Sequence, residues 1–256
     1  MTGGKALERA LRAPRHRAGP ALVAYLTAGF PSRDSFARDL QAVATVADVV
    51  EIGVPFSDPM ADGVTIQRAS HAALLGGASL GWILESLRTL AARPQVPLVL
   101  MSYLNPLLAL SLTRLPALAR AAGVAGFIVP DLPLEESGEL EAALGAEGLV
   151  LVRMVSPVTP AERLAALCRD ARGFVYAVSA TGTTGRSLAL APALLEYLDA
   201  VRHLSDVPVC AGFGIRARAQ LDALRGHVDG VVVGSALVEV LERGEDPVAF
   251  LHGLRG

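Results

Sequence analysis

The 256 residues carry 23 Lys and Arg against 25 Asp and Glu, a formal net charge of -2, and 52% of them are hydrophobic. That length and hydrophobic content favour one large buried core. A near-neutral balance without runs of like charge excludes the electrostatic footing that nucleic acid or an anionic membrane surface needs. The mean hydropathy of +0.44 belongs to the core, because Pro, Asn, Arg or Gly interrupts each apolar stretch before the ~20 residues a membrane span requires.

The first twenty residues, MTGGKALERALRAPRHRAGP, are basic and Ala-rich but lack the apolar region of a secretory signal, so they read as a short amphipathic helix ahead of the first strand. Cytoplasm is the default location. Eight apolar runs follow, at 21–26, 48–54, 97–102, 124–129, 149–155, 174–178, 207–211 and 230–233. Each is near-continuous, as parallel strands covered on both faces are. Helical patterns lie between them, such as SFARDLQAVATVA, SLGWILESLRTLAA, LEESGELEAALGA and TPAERLAALCRDA, several opened by Ser, Thr or Asp. Eight alternations at about 250 residues predict an α/β chain forming a single (β/α)8 TIM barrel over 1–256, with an extra N-terminal helix. An open doubly wound sheet is the alternative. Cys168 and Cys210 have neither the number nor the spacing of a metal site and read as reduced core thiols.

In a barrel the chemistry sits where strands run into helices. Those ends carry Thr27, Glu51, Tyr103, Asn105, Asp131, Ser156, Ser179, Gly212, Gly214, Gly234 and Ser235. The turns CAGFGIRA and VVVGSALVE, after the seventh and eighth strands, place glycine ahead of a helix, where backbone N–H groups and the helix N-terminus suit a phosphate. SATGTTGRS, after the sixth, reads as a lid with Gly182 and Gly185 as its flexible points. Glu51 is an ionisable residue in a strand-like run, where apolar surroundings raise its pKa and suit it to proton transfer; a structural ion pair is the plainer reading. Asp62, beyond FSDPMADG, is placed to reach the same mouth, although Asp is also common in turns for local hydrogen bonding. Asp58 and Asp131, each beside Pro, read first as turn residues.

The only lysine is Lys5, so no Schiff-base lysine sits at a strand end, and the five scattered histidines make no multi-His metal site. No metal is expected. A phosphate-anchored substrate worked by carboxylates is what these residues leave.

The stretch VEIGVPFSDPMADGVTIQ, with YLTAGFP, MSYLNP, VPDLP, FVYAVSATGTTG, CAGFGI and VVVGSA in order, resembles the tryptophan synthase α subunit over nearly the whole chain. The resemblance implies retro-aldol cleavage of indole-3-glycerol phosphate to indole and glyceraldehyde 3-phosphate. It implies that Glu51 protonates the indole ring and takes the hydroxyl proton, while Asp62 stabilises the positive charge at the indole nitrogen and Tyr176 assists proton transfer. Gly185, Gly214, Gly234 and Ser235 fall where the family holds phosphate. Tyr25, Met101, Ile128 and Phe213 fall in its indole pocket, Thr184 at the lid threonine that bonds the catalytic Asp, and Asp58 in the contact with the partner. Ala180 and Thr183 depart from the usual lid. No cofactor is implied for this chain; pyridoxal phosphate belongs to a partner β subunit in an α2β2 heterotetramer. The alternatives are a free-standing indole-glycerol-phosphate lyase, a sugar-phosphate isomerase or epimerase on the same barrel, and a barrel that only regulates a partner.

Overall fold

The computed structural model describes residues 1–13, 19–178, 191–212 and 214–256. Eight parallel strands close on themselves in sequence order: β1 (Ala21–Thr27), β2 (Val49–Gly53), β3 (Leu98–Met101), β4 (Val124–Ile128), β5 (Val150–Val155), β6 (Val175–Val178), β7 (Val209–Gly212) and β8 (Gly230–Val233). The barrel predicted from eight apolar runs is the observed one, and the strand edges differ from those runs by at most two residues at either end. Closure explains the continuous apolar runs. Along β1, Leu22, Ala24 and Leu26 pack outward against helices, while Ala21, Val23 and Tyr25 fill the interior.

The helices depart from one per strand. Between α1 (Gly3–Arg12) and β2 lies α2 (Phe36–Ala44), and β2 and β3 are joined by two helices, α3 (Val64–Leu75) and α4 (Leu80–Arg88). Two more, α5 (Leu104–Leu110) and α6 (Leu115–Ala121), join β3 to β4. A 3-10 turn at Leu134–Glu136 precedes α7 (Gly138–Ala146), and α8 (Ala161–Arg169), α9 (Pro192–Leu204) and α10 (Arg218–Ala223) follow β5, β6 and β7. The chain ends with α11 (Ser235–Glu242) and α12 (Pro247–Arg255). The serines at the helix starts behave differently. Ser79 caps α4 by accepting from the Trp82 N–H at 3.3 Å, but Ser35 and Ser137 have helical backbone and no capping bond. Ser137 is used otherwise: its hydroxyl donates to the Leu134 carbonyl and accepts from Arg153 of β5.

The N-terminal helix is present and has a definite job. Leu7 and Leu11 of α1 are fully buried beneath the strands' N-terminal ends, and the Gly3 N–H donates to the Gly148 carbonyl at 2.7 Å. With one end of the barrel so stoppered by apolar side chains, polar groups inside it collect at the other.

Candidate active site

Glu51 sits at the third position of β2, where Val49 and Gly53 share its inward face and Val50 and Ile52 face the helices. Its neighbours in register are Tyr25 of β1 and Val99 of β3. The residue is fully buried, and among the described residues neither carboxyl oxygen has a hydrogen-bond partner. Among the described residues it therefore makes no structural ion pair. Burial in this apolar ring, and then the negative charge of Asp62, push its pKa up to about 8.

Asp62 arrives from the loop after β2, and Tyr103, at the head of the loop after β3, holds it. The Tyr103 hydroxyl donates to Asp62 Oδ2 at 3.2 Å and accepts from the Ala61 N–H at 2.9 Å. Its ring stacks on Phe56 with centroids 5.0 Å apart. Gln67 donates to the Asp62 carbonyl at 2.9 Å, and the Asp62 N–H donates to the Pro59 carbonyl at 3.1 Å. Burial raises the Asp62 pKa to about 6, against the Tyr103 bond, which lowers it. The sequence puts Tyr103 at a strand end but gives it no role. Its position opposite the Asp62 loop is a tertiary fact, and its only local signal is the aromatic in MSYLNP.

Two more tyrosines line the interior beside Glu51. Tyr25 and Tyr176 are 7% and 8% exposed, and burial together with the nearby carboxylates holds both phenols far above their ordinary pKa, as protonated donors. Each ring lies in a notch made by a glycine on the adjacent strand. A Cβ on Gly53 would overlap the Tyr25 hydroxyl, and one on Gly212 would overlap the Tyr176 ring, so both strands need glycine for close approach. Ile128 is fully buried on the inner face, and Met101, half-buried, packs against the same interior cluster.

Gly234 and Ser235 open α11 immediately after β8, and Gly214 follows β7. Among the described residues, a side chain on Gly214 would meet no atom within 4 Å, and one on Gly234 would reach only ordinary contact with Tyr25 at 3.8 Å. The φ of Gly234 is -106°. Among the described residues no packing demands glycine there, which suits room kept for a ligand. Asp58 is exposed and accepts from the Ser57 hydroxyl at 2.5 Å. Asp131 accepts from the Leu104 N–H at 2.9 Å, the structural use expected of it. Thr184 and Gly185 of the expected lid, with Ala180, Gly182 and Thr183, lie outside the described residues, as do Ser179 and Phe213. Cys168 and Cys210 are buried free thiols, as expected.

Among the described residues no helix is long and apolar enough to cross a membrane, and no three His, Cys, Asp or Glu side chains cluster as metal ligands do. The family model for the tryptophan synthase alpha chain matches residues 11–250. The chain is 47% identical over 237 residues to the tryptophan synthase alpha chain of Solidesulfovibrio magneticus, covering 92% of this chain and 93% of that one. It is 43% identical over 246 residues to that of Nitratidesulfovibrio vulgaris, covering 96% of each. Among solved structures it is similar to Mycobacterium tuberculosis tryptophan synthase, with a TM-score of 0.89 and 36% identity over 97% of this chain and 96% of that chain. The Legionella pneumophila tryptophan synthase subunit alpha superposes with a TM-score of 0.85 at 33% identity, over 100% of this chain and 97% of that one. With a barrel whose mouth holds a buried glutamate, a tethered aspartate and two open glycine turns, and with likeness of this extent, the chain belongs to the tryptophan synthase alpha chain family.

Proposed function

We propose that Glu51 and Asp62 divide between them the α reaction of this family, the cleavage of indole-3-glycerol phosphate to indole and glyceraldehyde 3-phosphate. The observation that carries this division is a fully buried glutamate without a hydrogen-bond partner, facing a loop aspartate, with pKa values near 8 and 6 on either side of neutrality. At pH 7 the first is a neutral acid and the second an anion. Glu51 gives its proton to ring C3 of the indole, which turns the ring into the electron sink. As the bond from C3 to the glycerol chain breaks, the carboxylate left on Glu51 takes the proton of the adjacent hydroxyl, so the proton count is restored. Asp62 offsets the positive charge that develops at the indole nitrogen. Tyr176, with its phenol kept protonated, assists by donating a hydrogen bond within the same interior.

Tyr25, Met101, Ile128 and Phe213 form the apolar slot for the indole ring. Gly185, Gly214, Gly234 and Ser235 hold the phosphate, supported by the open space at Gly214 and by the N-terminus of α11. Residues 1–256 act as one barrel domain in the cytoplasm. The chemistry calls on no cofactor in this chain; pyridoxal phosphate serves the β subunit with which α chains of this family pair. Asp58 lies in that contact, in an α2β2 assembly.

The test is indole release from indole-3-glycerol phosphate by the purified chain together with a β subunit. Glu51→Gln keeps the shape but cannot shuttle a proton, and it lowers kcat by about 10²–10⁴-fold. Asp62→Asn lowers kcat more than it raises KM. A loss below tenfold for Glu51→Gln overturns the assignment, and turnover of a ribulose phosphate in place of indole release would point to the isomerase alternative.

A further inference from the structure

Outside the barrel mouth, a set of charged side chains joins three segments of the rim. Arg216 stands two residues beyond Gly214, in the turn after β7. Glu239 lies on α11, one helical turn from Ser235. The guanidinium grips the carboxylate with both ends, Nη1 to Oε2 at 2.7 Å and Nη2 to Oε1 at 2.8 Å. The Thr65 hydroxyl, in the first turn of α3, donates to the same Oε1 at 3.2 Å and so limits the rotamers open to Glu239. The base of the turn is fixed as well, because Gln220 Oε1 accepts from the backbone N–H of Arg216 at 2.8 Å and of Ala217 at 3.1 Å. One turn further along α11, Arg68 of α3 makes a second two-ended pair with Glu242 at 2.7 and 2.9 Å. Arg216 holds Glu239 below the usual carboxylate range.

We propose that Glu239 is a positioning residue for the substrate phosphate, clamping the Gly214 turn to the first turn of α11 so that the two halves of the phosphate site keep a fixed separation. The inference rests on the phosphate assignment above. The pairing of β7 with β8 runs in register only up to Gly212 and Val232, so beyond it the spacing of the Gly214 and Gly234 backbone N–H groups depends on what ties the two turns together. A two-ended Arg–carboxylate pair fixes direction as well as distance, which a single point charge does not. Glu239 is 23% exposed and Arg216 50%, so the contribution is modest, and it is read in affinity rather than in folding.

The experiment compares wild type, Glu239→Ala, Arg216→Ala, and the reciprocal exchange Arg216→Glu with Glu239→Arg, each in complex with a β subunit. KM for indole-3-glycerol phosphate and the affinity for glyceraldehyde 3-phosphate are measured, with the affinity for indole, which has no phosphate, as the control. Each single variant weakens phosphate-bearing ligands by about three- to tenfold, with kcat changed less than threefold and indole affinity unchanged, and the exchange recovers most of the loss. Unchanged KM in both single variants overturns the proposal. So does an equal loss of indole affinity, which would mean general disorder, or a fall in kcat at constant KM. Should wild type release no indole, the proposed function fails, and the clamp is then judged on glyceraldehyde 3-phosphate binding alone.

Discussion

Glu51 is a single carboxyl placed where water cannot reach it, and this has consequences for stability as well as for catalysis. Its folded pKa, about 8, lies above the ordinary 4.5, so its favourable contribution is complete below pH 4.5 and is lost as pH rises through 8. Across that window the unfolded chain has released the proton while the folded one retains it. Glu51→Gln removes the dependence. Chemical denaturation at pH 5 and at pH 8.5 should show the variant gaining on wild type by roughly 2–4 kcal/mol between the two conditions. On the proposed roles the same pair of groups sets the activity profile: kcat/KM should rise through about pH 6 as Asp62 ionises and fall through about pH 8 as Glu51 loses its proton. Both limbs belong to the coupled pair. Tyr103→Phe deletes the bond that lowers the Asp62 pKa, so the acidic limb should move up by roughly 0.5–1 pH unit, with kcat down several-fold. An acidic limb that stays in place would show that Tyr103 does not hold Asp62 in the working enzyme.

At the scale of elements, the barrel is kept closed by contacts far from the mouth. Asp48, just ahead of β2, is 2% exposed; its Oδ2 accepts from the Leu22 N–H of β1 at 2.8 Å and from Arg255 of α12 at 2.6 Å. The last helix is thereby fastened to the bottom of the strand that carries Glu51. Removing the guanidinium takes from buried Asp48 a charged partner while the Leu22 N–H bond stays, so Arg255→Ala should lower the unfolding free energy by about 2–4 kcal/mol. Because the pair is at the opposite end from the chemistry, kcat measured at low temperature should be unchanged. Equal stability of variant and wild type would mean that water replaces the guanidinium at no cost.

For the whole molecule the question is how the partner reaches the chemistry. Asp58 is exposed four residues before Asp62, and the segment between them is already hydrogen-bonded to Tyr103 and Gln67 within the chain. On the proposed placing of Asp58 in the partner contact, a β subunit seated there has a short, pinned lever to Asp62. Titrating a β subunit into the chain should raise the lyase rate by at least about tenfold, worth ~1.4 kcal/mol in the barrier. Asp58→Ala and Thr184→Val should each blunt that response. A full rate without the partner, or a wild-type response in both variants, would favour a free-standing lyase.

The sequence by itself determined eight parallel strands covered on both faces, which continuous apolar runs require and whose number favoured a barrel over an open sheet; closure was decided by the tertiary structure. The sequence marked Glu51 as the polar exception in such a run. It also marked Asp62, Gly214, Gly234 and Ser235, since strand ends and glycine turns are local in the chain. It did not determine the doubled helices after β2 and β3, whose lengths depend on how much surface each stretch of barrel leaves to cover. Nor did it give Ser137 as a partner of Arg153, the notches at Gly53 and Gly212, or the hold of Tyr103 on Asp62. Glu239 and Arg216, 23 positions apart, carry no mark of each other in the sequence. Each of these is a meeting of side chains from separate strands and helices. Such meetings are set by register and closure of the barrel, which bring together residues that no local pattern relates.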